Sequence, residues 1–214
     1  MIVIGKKFKI SNFKNSMHSK KILSLFTFVM ILLSISNYSY SIEPDVFVQS
    51  TVNRASKALD DKFSKEEKIK KLMEIASQTV DIDGIGFYTL GSYRKTITDE
   101  EIKQYKILFR QYFLKSFASR LAEYSNPEIE VRTKKKLNEN YTIVSSVLVS
   151  TEKRPEVKID WRVYTKNSEN PLIRDLIIEG LSLARTQKEE FSSIIQSNDE
   201  DINVLFATLK DFIK

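Results

Sequence analysis

The chain of 214 residues contains no cysteine and a single histidine, which excludes a disulfide-stapled scaffold as well as zinc-finger and thiol chemistry. Its net charge of +6 lies entirely within the first 41 residues, which hold six lysines, the histidine and no acidic residue. The rest of the chain has 28 basic and 28 acidic residues, so it offers no overall positive charge for nucleic acid. Without a histidine, that part also cannot form a Ser-His catalytic triad.

The N-terminal segment has the three parts of a secretion signal. Lys20 and Lys21 precede an apolar run of 15 residues, 22–36, and a small-x-small cleavage site follows at residues 39–41. The run is shorter than the roughly 20 apolar residues that a membrane-spanning helix requires. The pattern therefore favours a cleaved leader over the alternative, an uncleaved membrane anchor.

We predict a signal peptide over residues 1–41 and a single domain over residues 42–214. Met17 and the basic residues after it form a more ordinary beginning for a signal peptide than Met1 does, so translation is expected to start at Met17. A domain of this size can bury enough apolar surface to fold without disulfides.

Apolar residues at helical spacing predict four helices in the first half of this domain. The first covers residues 45–60, and the second begins with a capping box formed by Ser64 and Glu67. A short third helix ends at Gly91. The fourth, at about residues 99–124, has a wide aromatic face, which is as consistent with a filled core as with a ligand cavity.

Alternation with a period of two then predicts an antiparallel meander of about four strands. The strands are expected at residues 129–134, 141–151, 157–163 and 172–180. Two amphipathic helices follow, at about residues 183–196 and 200–213. Helices, a sheet and helices in this order indicate an α+β fold, in which a twisted antiparallel sheet packs against N- and C-terminal helices.

Two polar clusters are candidates for a site. Asp81 and Asp83 form a carboxylate pair, but the other ligands of a calcium loop are missing, and a helix cap by one aspartate is the simpler interpretation. The basic run at residues 132–136 predicts either a solvated edge strand or a surface attracted to anionic lipid or an acidic partner. No metal site or phosphate-binding glycine loop is predicted, whereas a Ser-Lys dyad stays open because no motif singles one out.

Three stretches carry a resemblance to a known family. They are residues 80–91 with the adjoining Tyr93, Arg94 and 98–101, residues 109–124, and residues 175–182. In this order and spacing they resemble the MlaC-type, toluene-tolerance family of periplasmic phospholipid-binding proteins of the maintenance-of-lipid-asymmetry pathway. The chain departs from the family pattern at Tyr93, where tryptophan is usual, at Glu101, which replaces glutamine, and at residues 197–200, which lack a glycine.

The resemblance implies a carrier rather than an enzyme, without metal or cofactor and with a phospholipid as its cargo. The tails would lie in an apolar cavity between the sheet and the helices. It further implies a periplasmic location and transfer of lipid between two partners, an outer-membrane lipoprotein complex and an inner-membrane complex of an MCE-domain ring with an ABC transporter.

Inward-facing apolar residues of the helices and strands are the expected cavity walls. They are Phe87, Leu90, Phe109, Phe113, Phe117, Ile143, Val147, Ile159, Trp161, Val163, Leu176 and Ile178. A register error of one residue would turn every strand residue in this set to the other face of the sheet. Two alternatives stay open: a small-molecule binder or enzyme of a related cone-shaped fold, which needs polar groups in the cavity, and an envelope adaptor whose apolar stripes are ordinary core.

Overall fold

The computed structural model describes residues 41–152 and 154–214. The predicted signal peptide, apart from its last residue, and the expected start at Met17 lie outside these residues. The described chain begins with α1 (Pro44–Ala58), α2 (Lys65–Thr79), α3 (Ile82–Thr89), a short 3₁₀ helix (Tyr93–Lys95) and α4 (Asp99–Leu121). No helix among the described residues combines the length and the apolar character needed to cross a membrane.

Side-chain caps fix where these helices begin. The predicted capping box is confirmed, because Ser64 and Glu67 exchange hydrogen bonds at the start of α2. Thr98 and Glu101 form a second capping box at the start of α4. Backbone N–H donors at the caps hold the pKa of both glutamates below the usual value. Gly91 follows α3 with φ of +59°, the left-handed conformation that ends helices and suits glycine.

The sheet is an antiparallel meander, as predicted, but with one more strand than expected. Its strands, in spatial order, are β1 (Ile129–Asn138), β2 (Tyr141–Leu148), β3 (Val157–Tyr164), β4 (Leu172–Ile178) and β5 (Leu181–Ser182). The additional strand is β5, which pairs with the end of β4. Between the two, Glu179 and Gly180 both have positive φ, as a two-residue hairpin turn of type I′ requires.

Two helices, α5 (Leu183–Gln196) and α6 (Ile202–Ile213), complete the predicted α+β fold. α5 packs against β4 and α3, and α6 packs against α4. The connection between α5 and α6 lacks the glycine that the family pattern has there. Asp199 and Glu200 adopt positive φ values of 53° and 61° in its place.

The basic run at residues 132–136 lies on β1, at one edge of the sheet. Its side chains are exposed, and Lys134 forms ion pairs with Glu43 (2.6 Å) and Asp45 (2.8 Å) near the start of α1. This arrangement matches the first of the two interpretations, a solvated edge strand guarded by lysines.

An aromatic cluster joins α4 to the last two helices. The rings of Tyr105 and Phe109 pack edge-to-face on Phe191 of α5, at centroid distances of 6.4 and 6.2 Å. Tyr105 is fully buried, its ring lies 6.4 Å from that of Phe206 on α6, and its hydroxyl shares a 2.7 Å hydrogen bond with Thr89. Burial raises the pKa of Tyr105 well above the usual value, although the bond to Thr89 acts in the opposite direction.

Replacing Tyr105 by phenylalanine should lower the free energy of unfolding by about 1 kcal/mol near neutral pH, because a buried hydrogen bond is lost. Above about pH 10 the wild-type protein should lose a further 1.4 kcal/mol or so per pH unit, since the unfolded phenol ionises while the buried one stays protonated. Tyr105→Phe should remove this part of the pH dependence. Urea unfolding between pH 8 and pH 11 measures both effects, with the exposed Tyr88→Phe as control. An alkaline loss of stability that is the same in Tyr105→Phe and wild type would contradict the argument.

Candidate functional site

An apolar cavity of about 280 Å³ lies between the sheet and the helices. Helices α1 to α5 and strands β3 and β4 contribute to its walls. The buried part of its lining is largely apolar and includes Val52, Leu72, Ala76, Val80, Ile85 and Phe109. The volume lies just below the range of about 300–1,000 Å³ that is typical of ligand pockets.

α4 lines the cavity with three phenylalanines spaced by four residues, Phe109, Phe113 and Phe117. Side chains at this spacing lie on one face of a helix. Their rings are neighbours, with successive centroid distances of 6.0 and 5.5 Å. Phe109 is buried and the other two are half-buried, so this aromatic wall extends from the core toward solvent.

Trp161 of β3 forms the wall on the side of the sheet, next to Leu176 of β4. Its indole N–H donates to the hydroxyl of Ser146 (2.8 Å), which donates to the carbonyl of Ile159 (3.1 Å). These bonds satisfy the polar atoms of both buried side chains. The tryptophan therefore adds apolar surface to the cavity without an unpaired donor.

A polar mouth forms where the C-terminal half of α4 faces α5. Tyr112, Ser116 and Arg120 follow one another at four-residue spacing on α4, and Gln187 and Glu190 lie on α5. The Tyr112 hydroxyl donates to the side-chain oxygen of Gln187 (3.1 Å), whose amide donates to Glu190 (2.8 Å). The two helices are therefore linked by hydrogen bonds at the mouth.

Two charged side chains of the mouth have no counterion. Arg120 and Glu190 are exposed, and neither forms an ion pair with any other described residue. Burial raises the pKa of the Tyr112 phenol. Both charges also act on this phenol, since Glu190 raises its pKa further and Arg120 lowers it. The phenol thus remains a hydrogen-bond donor at neutral pH.

The cavity wall also contains a buried carboxylate, that of Asp175. It accepts hydrogen bonds from the Ser182 hydroxyl (2.6 Å) and the Ala184 N–H (3.0 Å), and Arg162 lies 3.6 Å away. Ser182 in turn accepts from the N–H of Arg185 (3.1 Å) and so caps α5. Asp175 therefore fixes the start of α5, and its bonds are directed at that helix rather than at a guest in the cavity.

Five of the twelve predicted wall residues line the cavity, namely Phe109, Phe113, Phe117, Trp161 and Leu176. The other seven do not. Leu90 and Val163 are buried in the core. Ile159 lies two residues before Trp161 on β3 and pairs with Ile178 of β4, so both isoleucines lie on the same face of the sheet as Trp161. They are nevertheless outside the cavity lining.

The structure corrects the prediction for Ile143 and Val147 of β2. In the observed register Val144, and not Ile143, lies opposite Trp161, so Ile143 and Val147 belong to the other face of the sheet. β2 carries apolar residues on both faces, and the sequence pattern therefore could not select the inward one. Phe87 is also outside the cavity: it is 44% exposed, and the Arg94 guanidinium lies 5.3 Å from its ring centroid.

Several wall residues were missed by the sequence analysis. Those on α1 and α2 include Val52, Ala55, Leu72 and Ala76, and their apolar stripes are visible in the sequence. Helical periodicity does not separate side chains that face a core from side chains that face a cavity. The contribution of α5, residues 183–190, had no signal beyond its amphipathic pattern.

The carboxylate pair considered as a metal site has other partners. Asp81 caps α3 by accepting from the N–H of Gly84 (2.9 Å), which confirms the simpler interpretation, and it also accepts from Arg174 (2.6 Å). Asp83 pairs with Arg110 (2.8 Å). Among the described residues there is no cluster of three or more acidic, histidine or cysteine side chains that could hold a metal ion.

Fold and site together define an α+β protein with an apolar cavity, open at a polar mouth, between a meander sheet and helices. The same fold occurs in a solved structure, the phospholipid-binding protein from Ralstonia solanacearum in complex with a phospholipid at 1.53 Å resolution. The match has a TM-score of 0.67 and 18% sequence identity, and it covers 80% of this chain and 97% of that one. The model of the MlaC protein family matches residues 48–211, and the chain belongs to this family. No curated protein matches the chain.

Removing the Ser182 hydroxyl should lower the free energy of unfolding by about 1–3 kcal/mol, because Ser182→Ala loses a helix cap and leaves Asp175 with one bond fewer. Urea unfolding measures this change. The exposed Ser193→Ala, on the same helix, should cost less than about 0.5 kcal/mol. Equal stability of the two variants would show that Asp175 does not depend on Ser182 to hold α5.

Proposed function

We propose that this protein binds one phospholipid, with its acyl tails in the cavity and its head group at the mouth, and carries it between membranes. The observation that carries the proposal is the aromatic wall of Phe109, Phe113 and Phe117, which continues from the buried core to a polar mouth. Membership in the MlaC family and the phospholipid in the Ralstonia solanacearum structure support it.

The energetics of lipid transfer explain why an apolar cavity suits this function. Moving a methylene group out of water is worth about 0.8 kcal/mol, so a lipid with about 30 of them faces a barrier above 20 kcal/mol when it crosses water unprotected. A carrier has to cover this surface but needs no reactive group. Residues 42–214 contain neither histidine nor cysteine, and the buried carboxylate at the wall already accepts hydrogen bonds from Ser182 and Ala184.

The setting of the proposed function is the periplasm, reached by export with the signal peptide over residues 1–41. Lipid would pass between an outer-membrane lipoprotein complex and an inner-membrane complex that contains an MCE-domain ring and an ABC transporter. The protein acts in this scheme as a carrier without enzymatic activity, and the lipid is cargo rather than a cofactor.

Protein purified under native conditions from bacteria should carry about one phospholipid per chain, measured by native mass spectrometry and lipid extraction. Ser116→Phe should lower the occupancy several-fold, because a large ring at the half-buried mouth obstructs the cavity. Ser119→Phe is the matched control, since Ser119 is half-buried on the same helix but does not line the cavity. A wild-type protein that folds normally but neither carries lipid nor takes it up from vesicles would overturn the proposed function.

Processing of the leader can be tested separately. N-terminal sequencing of the protein recovered from the periplasm of a bacterial host should begin at Ile42, directly after the predicted cleavage site. The unprocessed precursor should begin at Met17. A mature chain that retains the apolar run at residues 22–36 would favour the membrane anchor instead.

A further inference from the structure

The mouth of the cavity carries one unpaired charge of each sign. Three charged side chains line the cavity, and Asp175 is the one that has a counterion, Arg162. Arg120 on α4 and Glu190 on α5 have none among the described residues, and both are exposed at the mouth. They also do not pair with each other, so a guest of suitable shape can meet a cation and an anion at the same time.

The two charges are carried by different helices that both line the mouth. Arg120 is two helical turns beyond Tyr112 on α4, a rise of about 12 Å. Glu190 is tied to Tyr112 through Gln187 by hydrogen bonds of 3.1 and 2.8 Å. The carboxylate of Glu190 is therefore positioned by its neighbours, whereas Arg120 is exposed and lies three residues after Phe117, the last ring of the aromatic wall.

A guanidinium group is suited to a phosphate, because its planar N–H donors can bind two oxygens at once. A carboxylate accepts hydrogen bonds from a primary ammonium group. We propose that the mouth selects zwitterionic phospholipids with a primary amine, such that Arg120 pairs with the lipid phosphate and Glu190 with the head-group ammonium. This inference rests on the proposed function, since it assumes that the tails occupy the cavity.

The pairing predicts discrimination between lipids with identical tails. A phosphate with a primary ammonium satisfies both charges of the mouth. A glycerol head group has the same phosphate but no cation, so it leaves Glu190 without a partner and its phosphate brings a net negative charge close to that carboxylate. Exposed ion pairs are weak, so the preference should be modest, about two- to fivefold. It should decrease as salt screens the charges.

The test uses the purified protein, stripped of lipid and incubated with vesicles of equal parts phosphatidylethanolamine and phosphatidylglycerol with the same acyl chains. Mass spectrometry of the re-isolated protein gives the total lipid per chain and the ratio of the two lipids. Wild type should favour phosphatidylethanolamine about two- to fivefold. Glu190→Gln, which retains an acceptor for Gln187, should bring the ratio close to one.

Arg120→Gln should act differently, because both lipids have a phosphate. With limiting vesicles it should reduce the uptake of both lipids about two- to fivefold without lowering their ratio. Glu189→Gln and Lys106→Gln are matched controls: both residues are exposed on the same helices, and neither lines the cavity. Both controls should behave like wild type in amount and in ratio.

The outcomes separate this inference from the proposed function. If wild type takes up about one lipid per chain but Glu190→Gln leaves the ratio unchanged, the head-group assignment is wrong and the lipid-binding function stands. If wild type takes up neither lipid, the proposed function fails and the assignment fails with it. A loss of preference in Glu189→Gln as large as in Glu190→Gln would also overturn the assignment, because it would indicate a general effect of surface charge.

Discussion

The buried carboxylate of Asp175 determines where α5 begins, and with it the position of the cavity. Its hydrogen bonds to the Ser182 hydroxyl and the Ala184 N–H anchor the first turn of the helix to β4. The aromatic contacts between α4 and α5 are made at Phe191, two turns further along. The first half of α5 and the second half of α4 both line the cavity, and the hydrogen bond between Tyr112 and Gln187 joins them at its mouth. A buried carboxylate with a missing bond is costly, so the structure depends on this small network more than its size suggests.

α4 serves the core, the cavity and the mouth with two adjacent lines of side chains. Tyr105 and Phe109 pack into the aromatic core, and the line that continues from Phe109 forms the cavity wall. The line from Tyr112 to Arg120, displaced by about 100° or less around the helix, forms the polar mouth. This division explains why the apolar face of α4 is wider than core packing alone requires. It also places the mouth and the wall on one helix, so the helix itself sets their relative positions.

The elements of the fold could be predicted because local rules determine them. Ser64 and Thr98 each cap a helix whichever residues later pack against it, and the strands follow from alternation. The inward face of each strand was harder to predict. On β2, Ile143 and Val144 are both apolar, and the choice between them depends on pairing with β3. The family resemblance predicted a cavity without locating its walls. In the sequence, Val52 and Ala76 cannot be distinguished from ordinary core residues. A cavity is the space that neighbouring elements leave unfilled, and no residue type is specific to it.

The size of the cavity bears on how a carrier can exist without its cargo. Buried voids cost roughly 24 cal/mol per Å³, so a closed and empty space of 280 Å³ would cost about 7 kcal/mol. That figure is comparable with the whole stability of a typical domain, about 5–15 kcal/mol. A permanent void large enough for two acyl tails would cost more than this whole stability. A cavity that is open to solvent at one end avoids part of this cost, and the half-buried Phe113 and Phe117 lie where the wall reaches toward solvent. In the proposed function, the burial of the tails would offset the work of separating the helices that enclose the cavity.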